Sequence, residues 1–61
     1  MEDDPLYKPM VWVVFKYGSG KRFGQILGGT NSNGNWMYFI NNPQDKVHLI
    51  KEEDISHELT V

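Results

Sequence analysis

Residues 10 to 17, MVWVVFKY, alternate with period two, yet both sets are apolar: Met10, Trp12 and Val14 on one side, Val11, Val13, Phe15 and Tyr17 on the other. A half-exposed strand would keep one side polar. A miniature core absorbs only one side, so the other predicts a further contact surface. WMYFIN, residues 36 to 41, repeats the doubling. Between these strands, YGSGK supplies the glycines of a tight turn, and RFGQIL, 22 to 27, reads as a second strand paired to the first. Its interior Gly24 predicts a bulge or a close backbone approach. GGTNSNGN, 28 to 35, reads as an exposed, mobile loop.

Further along, NPQDK closes another hairpin onto VHLI, 47 to 50. KEEDI can hold one helical turn, and HELTV, 57 to 61, returns as a last strand. The chain contains no alanine, and no other window favours helix. The pattern therefore predicts an all-β fold, a small barrel or sandwich, and favours a five-stranded barrel with one short helical turn near the C-terminus. Residues 1–9 hold Glu2, Asp3, Asp4, Pro5 and Pro9 and are expected to form a flexible acidic arm pinned by Leu6 and Tyr7. Residues 10–61 are expected to form a single domain.

Composition narrows the setting. At 61 residues, a domain buries only about 60% of the surface its unfolded chain exposes. A partner surface would therefore add real stability. Without cysteine there is neither a disulfide nor a thiolate metal site, and a reducing intracellular compartment is expected. Eight acidic residues against six basic ones give a formal net charge of −2. That balance disfavours coating nucleic acid or anionic membrane by bulk charge, while leaving room for a local basic patch. No apolar run approaches the roughly 20 residues of a membrane span, and the acidic start is unlike a signal peptide, so a cytoplasmic location is expected.

Several side-chain sets carry candidate chemistry. Trp12, Val14, Trp36 and Tyr38 lie on strands apolar on both sides and are the expected partner-binding residues, because indole and phenol rings anchor partly wet interfaces. Phe15, Lys16, Tyr17, Lys21, Arg22 and Phe23 interleave rings and cations on the first hairpin, as a single-strand nucleic-acid platform needs. The plainer alternative puts those rings in the core and lets the lysines reach water. His48 and His57, with Asp54 and Glu58, lack a ligand spacing and read as solvated, so no metal is implied. The Glu52, Glu53, Asp54 run reads as a solvated cap. Ser19 and Ser56 show no base and oxyanion setting, and GSGKRFG lacks the strand, loop and helix order of a phosphate cradle. No enzyme and no cofactor is expected.

GQILGG followed by WMYFIN and VHLIKEEDI resembles the layout of SH3-like barrels: bent hairpin, long loop, third strand, short strand, single helical turn. The resemblance implies a five-stranded SH3-like barrel over most of residues 10 to 61 and carries no activity with it. Two narrower resemblances accompany it. A Gly-Gln-Ile segment ahead of Val47 is similar to type II dihydrofolate reductases, although His48, Leu49 and Ile50 replace the Gln, Ile and Tyr with which that family lines its pore. KRFGQI and KVHLI are similar to the two motifs of cold-shock domains, matching at Lys21, Phe23, Gly24, Ile26 and His48.

The function these readings favour is a non-enzymatic protein-interaction module. By analogy it would be a small inhibitor or adaptor of phage or plasmid type that occludes a surface of another protein or of a second copy as a homodimer. The alternative is a barrel binding single-stranded RNA or DNA through Lys16, Tyr17, Lys21, Arg22, Phe23 and His48. An oligomeric enzyme similar to the type II reductases comes third.

Overall fold

A computed structural model describes residues 4–59. Five strands, β1 (Trp12–Tyr17), β2 (Gly20–Ser32), β3 (Asn35–Asn41), β4 (Val47–Lys51) and β5 (Ile55–Leu59), form one antiparallel sheet in the order β4-β3-β2-β1-β5. A lone 3-10 turn, Glu52–Asp54, joins the last two strands. The fold is all-β, as the hydrophobic pattern predicts.

The long β2 organises the sheet. Its first half, Gly20 to Gln25, pairs with β1, and its second half, Gln25 to Ser32, pairs with β3. Both halves turn the same side inward. Val13, Phe15 and Ile55 come from the β1–β5 side, and Tyr38, Ile40 and Ile50 from the β3–β4 side, to meet with Ile26 in one core. A sheet whose two halves face a common interior is folded over on itself, so their outward faces diverge.

Two features of β2 permit the bend. Gly24 lies where the strand crosses β3, and a Cβ there would stand 2.5 Å from the Ile40 Cγ2 and 2.7 Å from the Asn41 carbonyl oxygen. The expectation of a close approach at Gly24 holds. The bulge falls instead at Leu27, the extra residue between the Ile26–Ile40 and Gly28–Phe39 pairs.

The loop expected over 28 to 35 is not present. Gly28 to Ser32 pair residue by residue with Phe39 to Asn35, leaving only Asn33 and Gly34 as the turn. Both have positive φ, 55° and 85°, as a primed two-residue hairpin demands, and Asn31 Oδ1 accepts the Gly34 N–H at 2.9 Å. The first strand also starts later than expected. Met10 has φ of 79° and turns the chain, while its N–H donates to the Ile26 carbonyl at 2.7 Å. At the other end, β5 begins at Ile55 rather than at His57, and Thr60 and Val61 of the expected strand lie outside the described residues.

Within the arm, Leu6 and Tyr7 are tied down at Tyr38. The Tyr38 hydroxyl accepts the N–H groups of Leu6 (2.9 Å) and Tyr7 (3.3 Å) and donates to Glu52 Oε2 at 2.6 Å. The Tyr7 ring meets that of Tyr38 edge-on. Residues 1–3 of the arm lie outside the described residues.

Candidate docking surface

Residues paired across antiparallel strands share a face, so the register defines what the sheet shows to solvent. On the β5–β1–β2 half, one outward row is Leu59, Trp12 and Gln25. The next is His57, Val14 and Phe23, and the last is Lys16 opposite Lys21. Trp12 is 36% exposed, Phe23 44% and Leu59 39%, and the Trp12 and Phe23 rings lie 6.1 Å apart. Together with Val14 they make an apolar lobe on the order of 300 Å², at the lower end of the largest apolar patches that monomeric proteins expose. This is the spare side that the doubled pattern of the first strand predicts.

The β2–β3–β4 half presents a second lobe. Leu27, Phe39, Val47 and Leu49 are each about half exposed, and Phe39 pairs directly with Leu49. None of these four stands out in the sequence as a contact residue. The signal was available in principle, since Phe39 alternates against Tyr38 and Ile40, and Val47 and Leu49 against His48 and Ile50. Alternation alone could not tell which set faced inward. A row of Gln25 and Asn41 separates the lobes, with the Gln25 amide donating to the Met10 carbonyl at 3.1 Å.

The expected partner-binding residues are not brought together. Trp12 and Val14 share the first lobe. Trp36 lies on the inward side of β3, half-buried beside the core, its ring stacked 6.3 Å from that of Tyr38. Its edge lines a groove of about 460 Å³ between the Asn33–Gly34 turn, Lys51, Glu52 and Glu53. Tyr38, expected on the recognition surface, is fully buried. Gly29 makes room for these two rings, for a Cβ there would stand 3.2 Å from both. Burial and the hydrogen bond to the Glu52 carboxylate raise the Tyr38 pKa above its ordinary value.

The hairpin set also divides. Lys16, Lys21 and Phe23 share the first lobe and its edge. Tyr17, Arg22 and His48 gather at the open end of the core, where the Arg22 guanidinium stands 5.0 Å over the Tyr17 ring and His48 packs against it edge-on at 4.7 Å. Phe15 is in the core. His48 is buried and bonded through Nε2 to Asp45 Oδ2 at 3.1 Å, whereas His57 is exposed beside the Ser56 hydroxyl. The two histidines are therefore on opposite faces.

Comparison with protein-family models, curated proteins and solved structures found no match. What the surface does must follow from its chemistry. A flat row of indole, phenyl and aliphatic side chains is suited to excluding water against another surface. Among the described residues no helix is long and apolar enough to cross a membrane.

Proposed function

We propose that this chain is a non-enzymatic protein-interaction module on an SH3-like frame, which acts by covering a surface of its partner with the Trp12 lobe. The frame is supported by the order of elements: a bent first hairpin, a third strand, a short fourth strand, a single helical turn and a final strand. One observation carries the reading. Trp12, Val14, Phe23 and Leu59 form an outward apolar surface, separate from a core that is already filled by the other side of the same strands. Trp12 is the anchor, because a tryptophan at the centre of a desolvated contact contributes most to binding.

The test compares partner capture by the wild-type chain and by Trp12→Ser/Phe23→Ser. Loss of a central aromatic anchor costs about 2 kcal/mol or more, roughly a thirty-fold loss of affinity. Capture is expected to fall by at least that factor while cooperative unfolding is retained. Capture unaffected by the double substitution would sink the reading.

The second lobe favours an additional reading, a homodimer. Leu27, Phe39, Val47 and Leu49 include no charge, which suits a self-complementary contact. Light scattering of the isolated chain should give twice the monomer mass, falling to one chain in Leu49→Glu. A single-chain mass at every concentration excludes this contact without touching the first lobe.

A further inference from the structure

The first lobe carries a charge pattern at odds with the rest of the protein. Although acidic residues outnumber basic ones, the only acidic residue in any of the five strands is Glu58, which pairs with the buried Val13 rather than standing on an outward row. The outward rows carry Lys16, Lys21 and Lys51 and no carboxylate. Lys16 and Lys21 are direct cross-strand partners. Like charges so placed destabilise a strand pair, and among the described residues neither lysine pairs with a carboxylate. The hairpin thus accepts a local cost at one edge of the apolar lobe. An opposite charge brought from outside would remove that cost.

We infer that the partner of the Trp12 lobe is an acidic, apolar protein segment: apolar side chains cover Trp12, Val14 and Phe23, and carboxylates sit against Lys16 and Lys21. This rests on the interaction-module reading above and specifies its partner. A second copy docked through the same lobe is disfavoured, because a two-fold contact gathers four lysines around one small patch. Single-stranded nucleic acid also offers negative charge and flat rings, and Trp12 and Phe23 could stack on it, but it needs a run of cations along the strand. Here two lysines flank a surface that is partly aliphatic, and Arg22 and Tyr17 are at the end of the core, away from the lobe. Protein fits better.

The experiment selects binders from a random twelve-residue display library on the immobilised chain and measures them against Lys16→Glu, Lys21→Glu and Trp12→Ser/Phe23→Ser. The oligonucleotide dT12 serves as a competing probe. Selected peptides are expected to combine Asp or Glu with apolar residues, to lose at least ten-fold in affinity with either lysine variant, and to weaken as salt rises. Each single lysine reversal creates an opposite-charge pair, so it is expected to raise the melting temperature by about 2–5 °C while it weakens binding. A merely structural role for the lysines would not separate those two effects.

Peptides abolished by Trp12→Ser/Phe23→Ser but without acidic bias, and indifferent to the lysine reversals, would overturn the inference and leave the interaction module standing. Peptides indifferent to all three variants, or no selected peptide at all, overturn both. Tighter binding of dT12 than of any peptide, lost in Lys16→Glu, overturns the inference in favour of nucleic acid.

Discussion

Replacing Gly24 by alanine is expected to remove most of the fold's stability at 25 °C. The added methyl would stand 2.5 Å from the Ile40 side chain and 2.7 Å and 3.1 Å from the Asn41 carbonyl oxygen and carbon. The Ile40 methyl can rotate, but the β3 backbone cannot retreat without breaking the Gln25–Asn41 and Ile26–Ile40 pairs that hold the two halves of the sheet together. Forcing a methyl into such a site costs about 1–3 kcal/mol through packing alone, and more where backbone must move. A core of this size rarely supplies more than about 3–5 kcal/mol in total. Gly28→Ala is the matched control. Gly28 directly follows the bulged Leu27, a Cβ there would meet nothing within 4 Å, and its φ is unexceptional. It is expected to be neutral or to stabilise by about 0.4–1 kcal/mol through the unfolded chain. Urea unfolding followed by circular dichroism distinguishes the two. Equal stability of both variants would mean that β2 can cross β3 at a wider spacing, and the account of the bend would fail.

Gly24 also marks how far the sequence could be read. A glycine inside an apolar strand is a local anomaly, and local anomalies are legible. So was the surplus of the first strand, because Val13 and Phe15 cannot share a face with Trp12 and Val14 in any extended conformation. Residues 28 to 35 read as a loop because glycine and asparagine are weak strand formers by propensity, whereas tertiary pairing with Trp36 to Phe39 overrides that preference. The narrower signal is the better one: Asn33–Gly34 alone is a strong two-residue hairpin turn, and a connection of only those two residues extends both strands. The burial of Tyr38 was beyond reach for a different reason. Its strand is apolar on both sides, so alternation left two equal choices. What decides between them is distant: Gly29 opens space beneath the ring, and Glu52 and the arm satisfy the hydroxyl. The lysine pair, by contrast, follows from the two-residue Gly18–Ser19 turn, which sets Tyr17 opposite Gly20 and Lys16 opposite Lys21. Counting back from that turn is enough to find it.

Tyr38→Phe is expected to destabilise the fold by about 1–3 kcal/mol at neutral pH, and the deficit is expected to shrink in alkali. The phenylalanine ring fills the same volume, so the loss isolates the hydroxyl. That oxygen serves three groups at once, accepting from Leu6 and Tyr7 and donating to Glu52, and its removal takes one partner from the Glu52 carboxylate and from the Leu6 N–H and leaves the Tyr7 N–H without this bond. Leu6 keeps a longer bond of 3.2 Å to Glu52 Oε2, and Leu6 itself is exposed, so water offsets part of the loss. The pH dependence has a definite sign. Burial and the neighbouring Glu52 carboxylate disfavour the phenolate, raising the folded pKa above the ordinary value of 10.0. The contribution tied to that shift is therefore complete below the unfolded pKa. It declines as pH climbs from there through the raised folded value, because the unfolded chain ionises first. Urea midpoints for the two proteins should lie furthest apart near neutrality and converge above about pH 10. Amide exchange at Leu6 and Tyr7 should quicken in Tyr38→Phe at neutral pH, reporting release of the arm rather than loss of the core. A variant with unchanged stability and unchanged exchange at those two amides would show that Glu52 holds the arm without the phenol. Convergence absent in alkali would mean that folding does not disfavour the Tyr38 phenolate.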